Sequence, residues 1–184
     1  MNKPYFNLLK TSCLALGLTL SFSFNTIAAE IDLNEEIKID ASRQAADLKN
    51  KIFSYIDNVI ITQGSLTINA DLVQVVTEST TNEKTYIAKG QPATFEQVLE
   101  DGTPIYLQAN EIKYQPEQNT VIISGNAELR QEGSKVSGTI ITYNFLTEQV
   151  QASSDENARV QTVLQPQNLE KKKIEKKNLD KKSQ

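Results

Sequence analysis

"ITQGSLTINADLV", residues 61–73, consists of two alternating runs on either side of Gly64-Ser65. Period-two alternation interrupted by a Gly-centred turn is the mark of a β-hairpin. The second run does not alternate to its end. Its apolar positions fall at 66, 68 and 70 and then at 73 and 75, so the parity slips by one after Ala70. A bulge in a long strand has this effect, because one inserted residue exchanges the two faces. A small residue followed by a short carboxylate, Ala70-Asp71, therefore predicts a strand that bends and continues.

The same slot recurs. "IDASRQ" (39–44), "INADLV" (68–73), "LQANEI" (107–112) and "VSGTII" (136–141) share the form apolar-x-small-polar-x-x. Their small residues, Ala41, Ala70, Ala109 and Gly138, are spaced by 29, 39 and 29. A second series, "VIITQ" (59–63), "ATFEQ" (93–97) and "AELRQ" (127–131), ends each time in Gln and has spacings of 34 and 34. One unit of 29 residues accounts for both series if five residues are added in each of two hairpins, "TESTTNEK" (77–84) and "LEDGTP" (99–104). Insertions belong at such turn-rich tips.

Each unit reads as β-strand, and residues 30–160 contain no amphipathic helical stretch. Hairpins are expected near Lys49-Asn50, Gln63-Gly64, Asn82, Asp101-Gly102, Pro116–Asn119, Glu132-Gly133 and Thr147-Glu148. Breaks without full turns are expected at the four slots and at Asp57-Asn58, Gly90-Gln91 and Gly125-Asn126. A corner admits only small residues if the backbone bends tightly there. Alternating corners and hairpins then build an all-β, folded-over antiparallel jelly roll of about 14–16 short legs, two walls with an apolar space between them. Inward candidates are Ile37, Ile39, Ile61, Leu66, Ile68, Phe95, Leu107, Leu129, Ile141 and Tyr143. These residues fit either a plain sandwich core or the lining of a binding trough. Many other inward positions are Ala, Thr or Gly, which leaves space between the walls.

The ends have their own composition. Residues 1–29 carry Lys3 and Lys10, then an apolar stretch from Cys13 to about Phe24, then "NTIAAE", the pattern of an export leader cut after Ala28 or Ala29. No Leu stands three residues before Cys13, so lipid attachment there is not expected. The chain after the leader has no Cys, His, Trp or Met, so an exported fold must stand on its core without disulfides. The domain is expected over 30–168, followed by "LEKKKIEKKNLDKKSQ" (169–184), a solvated tail with seven Lys against three acids. Residues 30–169 hold ten basic and twenty acidic side chains, a net charge of −10, which makes nucleic acid a poor partner.

Catalytic chemistry has little to stand on. Without His there is no Ser/His/Asp triad, and without His or a mature Cys, zinc and iron–sulfur sites are disfavoured, so no metal or cofactor is expected. Asp71 corresponds by the repeat to Ser42, Asn110 and Thr139, short polar residues that bond nearby backbone at a bend, so a corner role is expected for it. Binding is what remains. The first strand, "EIKIDA" (36–41), and the last, "ARVQTVL" (158–164), are regular and uncapped, and two different free edges allow copies to add head to tail.

"NVIITQGSLTINADLV" (58–73), "GQPATFEQ" (90–97), "GNAELRQ" (125–131), "ITYNFLTEQVQA" (141–152) and "RVQTVL" (159–164) together resemble the LptA family, OstA-type bridge proteins of lipopolysaccharide export. The resemblance spans nearly all of residues 37–164. It implies a β-taco fold in the periplasm and lipid A acyl chains held between the walls. It also implies head-to-tail copies, an inner-membrane export partner upstream and an outer-membrane translocon downstream, all joined by edge pairing. Ile37, Ile39 and Phe95 match the positions expected to touch lipid. Thr139 departs from the Asp usual at its slot, and "LKNKIFSYIDN" (48–58) departs from the usual Gly-Asn break. Two other readings stay open: a membrane-anchored scaffold of the same fold that keeps residues 1–29, and a periplasmic hydrolase of cell-wall glycan.

Overall fold

The computed structural model describes residues 35–99 and 101–165, so the expected leader and the Lys-rich tail lie outside the described residues. Ten strands follow in order: β1 (Lys38–Asp40), β2 (Arg43–Asp47), β3 (Ile52–Gln63), β4 (Leu66–Thr77), β5 (Lys84–Val98), β6 (Pro104–Gln115), β7 (Thr120–Gln131), β8 (Ser134–Asn144), β9 (Gln149–Ser153) and β10 (Gln161–Val163). A 3₁₀ turn, Pro116–Gln118, joins β6 to β7. All pairs are antiparallel in the order β1-β3-β4-β5-β6-β7-β8-β10, with β2 also on β3 and β9 also on β8. The seven expected hairpins all fall at turns between strands.

Ten strands are fewer than the 14–16 legs expected, because β3 to β8 each run through a break without ending. Six long strands of two legs each, with β1, β2, β9 and β10 as single legs, give sixteen legs in two walls. The first wall takes β1, the six legs that meet at the 63–66, 98–104 and 131–134 turns, and β10. The second takes β2, the legs nearest the 47–52, 77–84, 115–120 and 144–149 turns, and β9.

The breaks line up as one crease. Register shifts lie between Ile56 and Val59, Asn69 and Leu72, Lys89 and Ala93, Gln108 and Glu111, and Ser124 and Ala127. Asp57-Asn58 face the single residue Asp71 across β3 and β4, Gly90–Pro92 face Asn110, and Gly125-Asn126 face Thr139. Asp57, Asn58, Gly125 and Asn126 take φ of 62°, 52°, 75° and 55°. Gly and Asn/Asp enter that left-handed region at least cost, which is why "YIDN" serves as a break without a Gly. The Gln91-Pro92 peptide is cis. Ser42 donates its backbone N–H to the Asp57 carbonyl at 3.0 Å, Arg43 binds the Asp57 carboxylate at 2.6 Å, and Thr139 Oγ1 accepts the Asp155 N–H at 3.3 Å.

Parity flips at the crease as the sequence pattern requires. In β4, Leu66 and Ile68 are buried on one side of it and Val73 and Val75 on the other; in β6, Ile105, Leu107 and Ala109 are followed by Ile112 and Tyr114. Both legs thus turn their apolar face into one core. Phe95 of the first wall meets Tyr114 of the second edge-on, with ring centroids 6.4 Å apart, so the walls close on each other.

The small slot residues sit beside the crease, where the inner side leaves little room. Ala93 pairs with Ala109, Ala127 with Gly138 and Val59 with Ala70, an inner row just below the crease where the walls converge. A Cβ on Gly138 would stand 2.8 Å from the Ser153 carbonyl oxygen of β9. Ala41 is the exception, exposed between β1 and β2. Asp71 is exposed on the outer side.

Candidate functional site

Antiparallel pairing lines up the candidate residues across the sheet. Ile39 pairs with Ile61, Ile61 with Ile68, Ile68 with Phe95, Phe95 with Leu107, Leu107 with Leu129, and Leu129 with Val136. Directly opposed side chains stand about 5 Å apart, so this row is an unbroken apolar stripe running at right angles to the strands. The second wall carries a matching stripe: Tyr55, Val73, Ala88, Ile112, Ile123, Ile141 and Ala152.

Six of the ten inward candidates, Ile39, Ile61, Ile68, Phe95, Leu107 and Leu129, thus share one row. Leu66 lies nearer the rim, opposite Gln63. Ile141 and Tyr143 stand on the second wall. Ile61, Leu66, Ile68, Phe95, Leu107, Leu129, Ile141 and Tyr143 are buried, while Ile37 and Ile39 are half-buried and pack against the core from its edge. Alternation alone misses the rest of the second wall, although the flipped parity carried beyond each slot would have found Tyr86, Ile112, Tyr114 and Ile123.

The middle of the trough is filled and its β1/β2 end is open. Tyr114 stacks at 5.8 Å from Tyr86 and 5.9 Å from Phe145 and seals the centre. At the β1/β2 end a cavity of about 340 Å³ opens between the walls, lined by Ile37, Ile39, Phe53, Tyr55, Val75 and Tyr86. At the β9/β10 end Val160, Val163 and Leu164 are exposed.

The rims, away from the crease, are polar inside. Gln63 and Gln131 end legs of the first wall and Gln97 stands one residue before the end of another; these are the markers of the sequence repeat, and Gln63 and Gln97 are only 5% and 3% exposed. Tyr86, Tyr114 and Tyr143 share the rim row of the second wall, since Tyr86 pairs with Tyr114, Tyr114 with Val121, and Val121 with Tyr143. Tyr114 donates its hydroxyl to Gln63 Oε1 at 2.5 Å, from wall to wall, and Gln63 Nε2 donates to the Glu35 carbonyl at 3.0 Å. Burial, the largest cause, raises all three tyrosines above the ordinary phenol value. Glu117 adds to the shift at Tyr86 and Tyr114, and Glu148 at Tyr143, which is pushed up to about 12.

Outside, the crease bounds a shallow groove of about 750 Å³ lined by Asp71, Lys89, Gly90, Pro92, Asn110 and Asn126, among others. Asp71 is the one carboxylate in that lining. A general acid and base pair for glycan hydrolysis would need two across a cleft. Among the described residues no cluster of three His, Cys, Asp or Glu is placed to hold a metal.

A sheet creased along its middle and folded over an apolar stripe defines a class, the β-taco wall proteins. The family model described as "LptA/(LptD N-terminal domain) LPS transport protein" matches residues 38–149, and the chain belongs to that family. Lipopolysaccharide export system protein LptA of Haemophilus influenzae is 34% identical over 168 residues, 90% of this chain and 98% of its own length. The protein of that name from Escherichia coli K12 is 36% identical over 171 residues, 89% of this chain and 91% of its own. A crystal structure of LptH, described as the LptA-homologous periplasmic component of the lipopolysaccharide transport device of Pseudomonas aeruginosa, superposes with a TM-score of 0.67 at 26% identity. It covers 74% of this chain and all of that one.

Proposed function

We propose that this chain is a non-enzymatic periplasmic carrier that holds the lipid A part of lipopolysaccharide between its walls and passes it along a bridge of head-to-tail copies. The observation that carries the reading is the apolar row from Ile39 to Val136, which crosses the first wall almost from edge to edge. A site for one small ligand would be closed at both ends, whereas this stripe ends at free strand edges. Each acyl CH₂ kept from water is worth about 0.8 kcal/mol, so several chains need a long trough. The free edges, β1 with β2 and β9 with β10, would pair with further copies, with an inner-membrane export partner and with an outer-membrane translocon. The family and the names of the relatives support the substrate.

The test is photocrosslinking in the envelope. A photoreactive residue at Ile37, Ile39 or Phe95 should capture lipopolysaccharide, and one at the exposed turn residue Asn82 should not. If all three inner positions stay unlinked while the protein still carries lipid, the space between the walls is the wrong surface.

A further inference from the structure

Two buried polar atoms in the trough have no partner among the described residues: Oε1 of Gln97 and the hydroxyl of Tyr143. They stand on opposite rims, Gln97 next to the end of a leg of the first wall and Tyr143 on the rim row of the second. Gln97 is 3% exposed and Tyr143 1%. Buried polar atoms are nearly always hydrogen-bonded, and each exception calls for an explanation. An apolar residue of similar size would fill either position at less cost, since the paired neighbours are Ile105 for Gln97 and Val121 and Val150 for Tyr143. The equivalent atoms nearby show what the rim chemistry does when partnered: Gln63 and Tyr114 bond each other across the opening.

The positions are also periodic. Gln97 pairs with Ile105, which pairs with Gln131, and Gln63 stands on β3, two strands from Gln97 on β5. Strands lie about 4.8 Å apart, so the three amides recur every ~10 Å along the direction of the apolar stripe. Amide and phenol groups accept and donate hydrogen bonds while carrying no charge at neutral pH.

We infer that the rim glutamines, with Tyr143 opposite, form a polar rail that binds the link region of a glycolipid, the amide, ester, hydroxyl and phosphate groups between its acyl chains and its sugars. The inference rests on the carrier reading above and adds to it the part of the ligand that each rim holds. Acyl chains enter the stripe from its open β1/β2 end, beside Ile37 and Ile39. The link region lies at the rim, where Gln97 and Tyr143 complete their hydrogen bonds on it. Uncharged partners at a regular spacing suit a ligand that must move on, because each rim position offers the same modest hold as the next.

The test compares two probes on the full mature chain: purified lipid A, and pyrene, an apolar fluorophore without a polar group. Gln97→Leu and Tyr143→Phe should keep or raise the melting temperature. They should weaken lipid A binding by about three- to tenfold each, as for one lost hydrogen bond, and leave pyrene binding within about twofold. The side-chain amide resonance of Gln97 in the unsubstituted chain gives a readout that needs no variant. It should shift on adding lipid A and stay in place with pyrene. Unchanged lipid A affinity in both variants, or an unmoved amide resonance, overturns the rail and assigns the two atoms to water or to wall-to-wall contacts. Equal loss of both probes also overturns it, because that is damage to the trough. If the unsubstituted chain binds pyrene and no lipid A, the carrier reading itself falls.

Discussion

At the scale of single residues, the crease decides which side chains can be changed. Gly138 has no room for a methyl group, because its Cβ would meet the Ser153 carbonyl oxygen at 2.8 Å and that atom is backbone. Gly138→Ala should therefore lower stability by about 1–3 kcal/mol, as overpacking does, read as a fall in urea midpoint at unchanged slope. Ala109→Leu should do the same, since Ala109 is fully buried opposite Ala93. Asp71→Asn should stay within about 0.5 kcal/mol and keep lipid binding, because Asp71 is exposed and an amide serves a bend equally well. Loss of activity in a folded Asp71→Asn protein would reopen a catalytic role. The contrast separates two residues that look alike as sequence signals: both mark the slot, but only the inward one is packed against its neighbours.

At the scale of strands, local chemistry was legible and contact across the walls was not. Turns are written in residues that accept left-handed φ, such as Asn82, Gly102, Asn119 and Gly133, so the hairpins could be located from the chain alone. The parity slip after Ala70 was likewise a local signal, and it announced the crease. The strand count came out in legs because a bulged strand and a broken strand leave the same mark in sequence. Nothing local says that Tyr114 reaches Phe95 and Gln63, which are distant in the chain; that follows from the fold-over alone. The repeat glutamines were visible as punctuation, yet their burial appears only when the two rims meet. The edge strands carry the next prediction. β10 pairs with β8 through three residues and has nothing on its far side among the described strands, so it is free to accept another copy. Removing residues 158–184 should weaken concentration-dependent assembly in sedimentation velocity and leave a folded monomer, because the core cluster ends at Phe145. Removing 169–184 alone should leave assembly unchanged. A chain that stays monomeric near millimolar concentration would count against edge pairing.

At the scale of the whole molecule, the two walls share one core, and the tyrosine rim ties it to solution pH. Tyr86, Tyr114 and Tyr143 stand in one row, and each has its ionisation raised above the ordinary phenol value of 10.0, Tyr143 to about 12. Burial is the main cause: a phenolate would lose its hydration between the walls. The sign follows from which state holds the proton. Below pH 10 folded and unfolded chains are both protonated, so these groups contribute no slope. Above it the unfolded chain gives up protons that the folded chain keeps, and stability falls until the folded phenols ionise in turn. Each such tyrosine adds to that fall for as long as its folded phenol stays protonated and its unfolded one does not. Urea midpoints should therefore be level from pH 7 to about 9.5 and drop steeply between about 10 and 12. Tyr143→Phe should leave the level part in place and flatten the drop by one tyrosine's share. Because Tyr114 bonds Gln63 on the other wall, near-ultraviolet dichroism from the rim and far-ultraviolet dichroism from the sheet should be lost together. Separate transitions would mean that the walls part before the strands unpair.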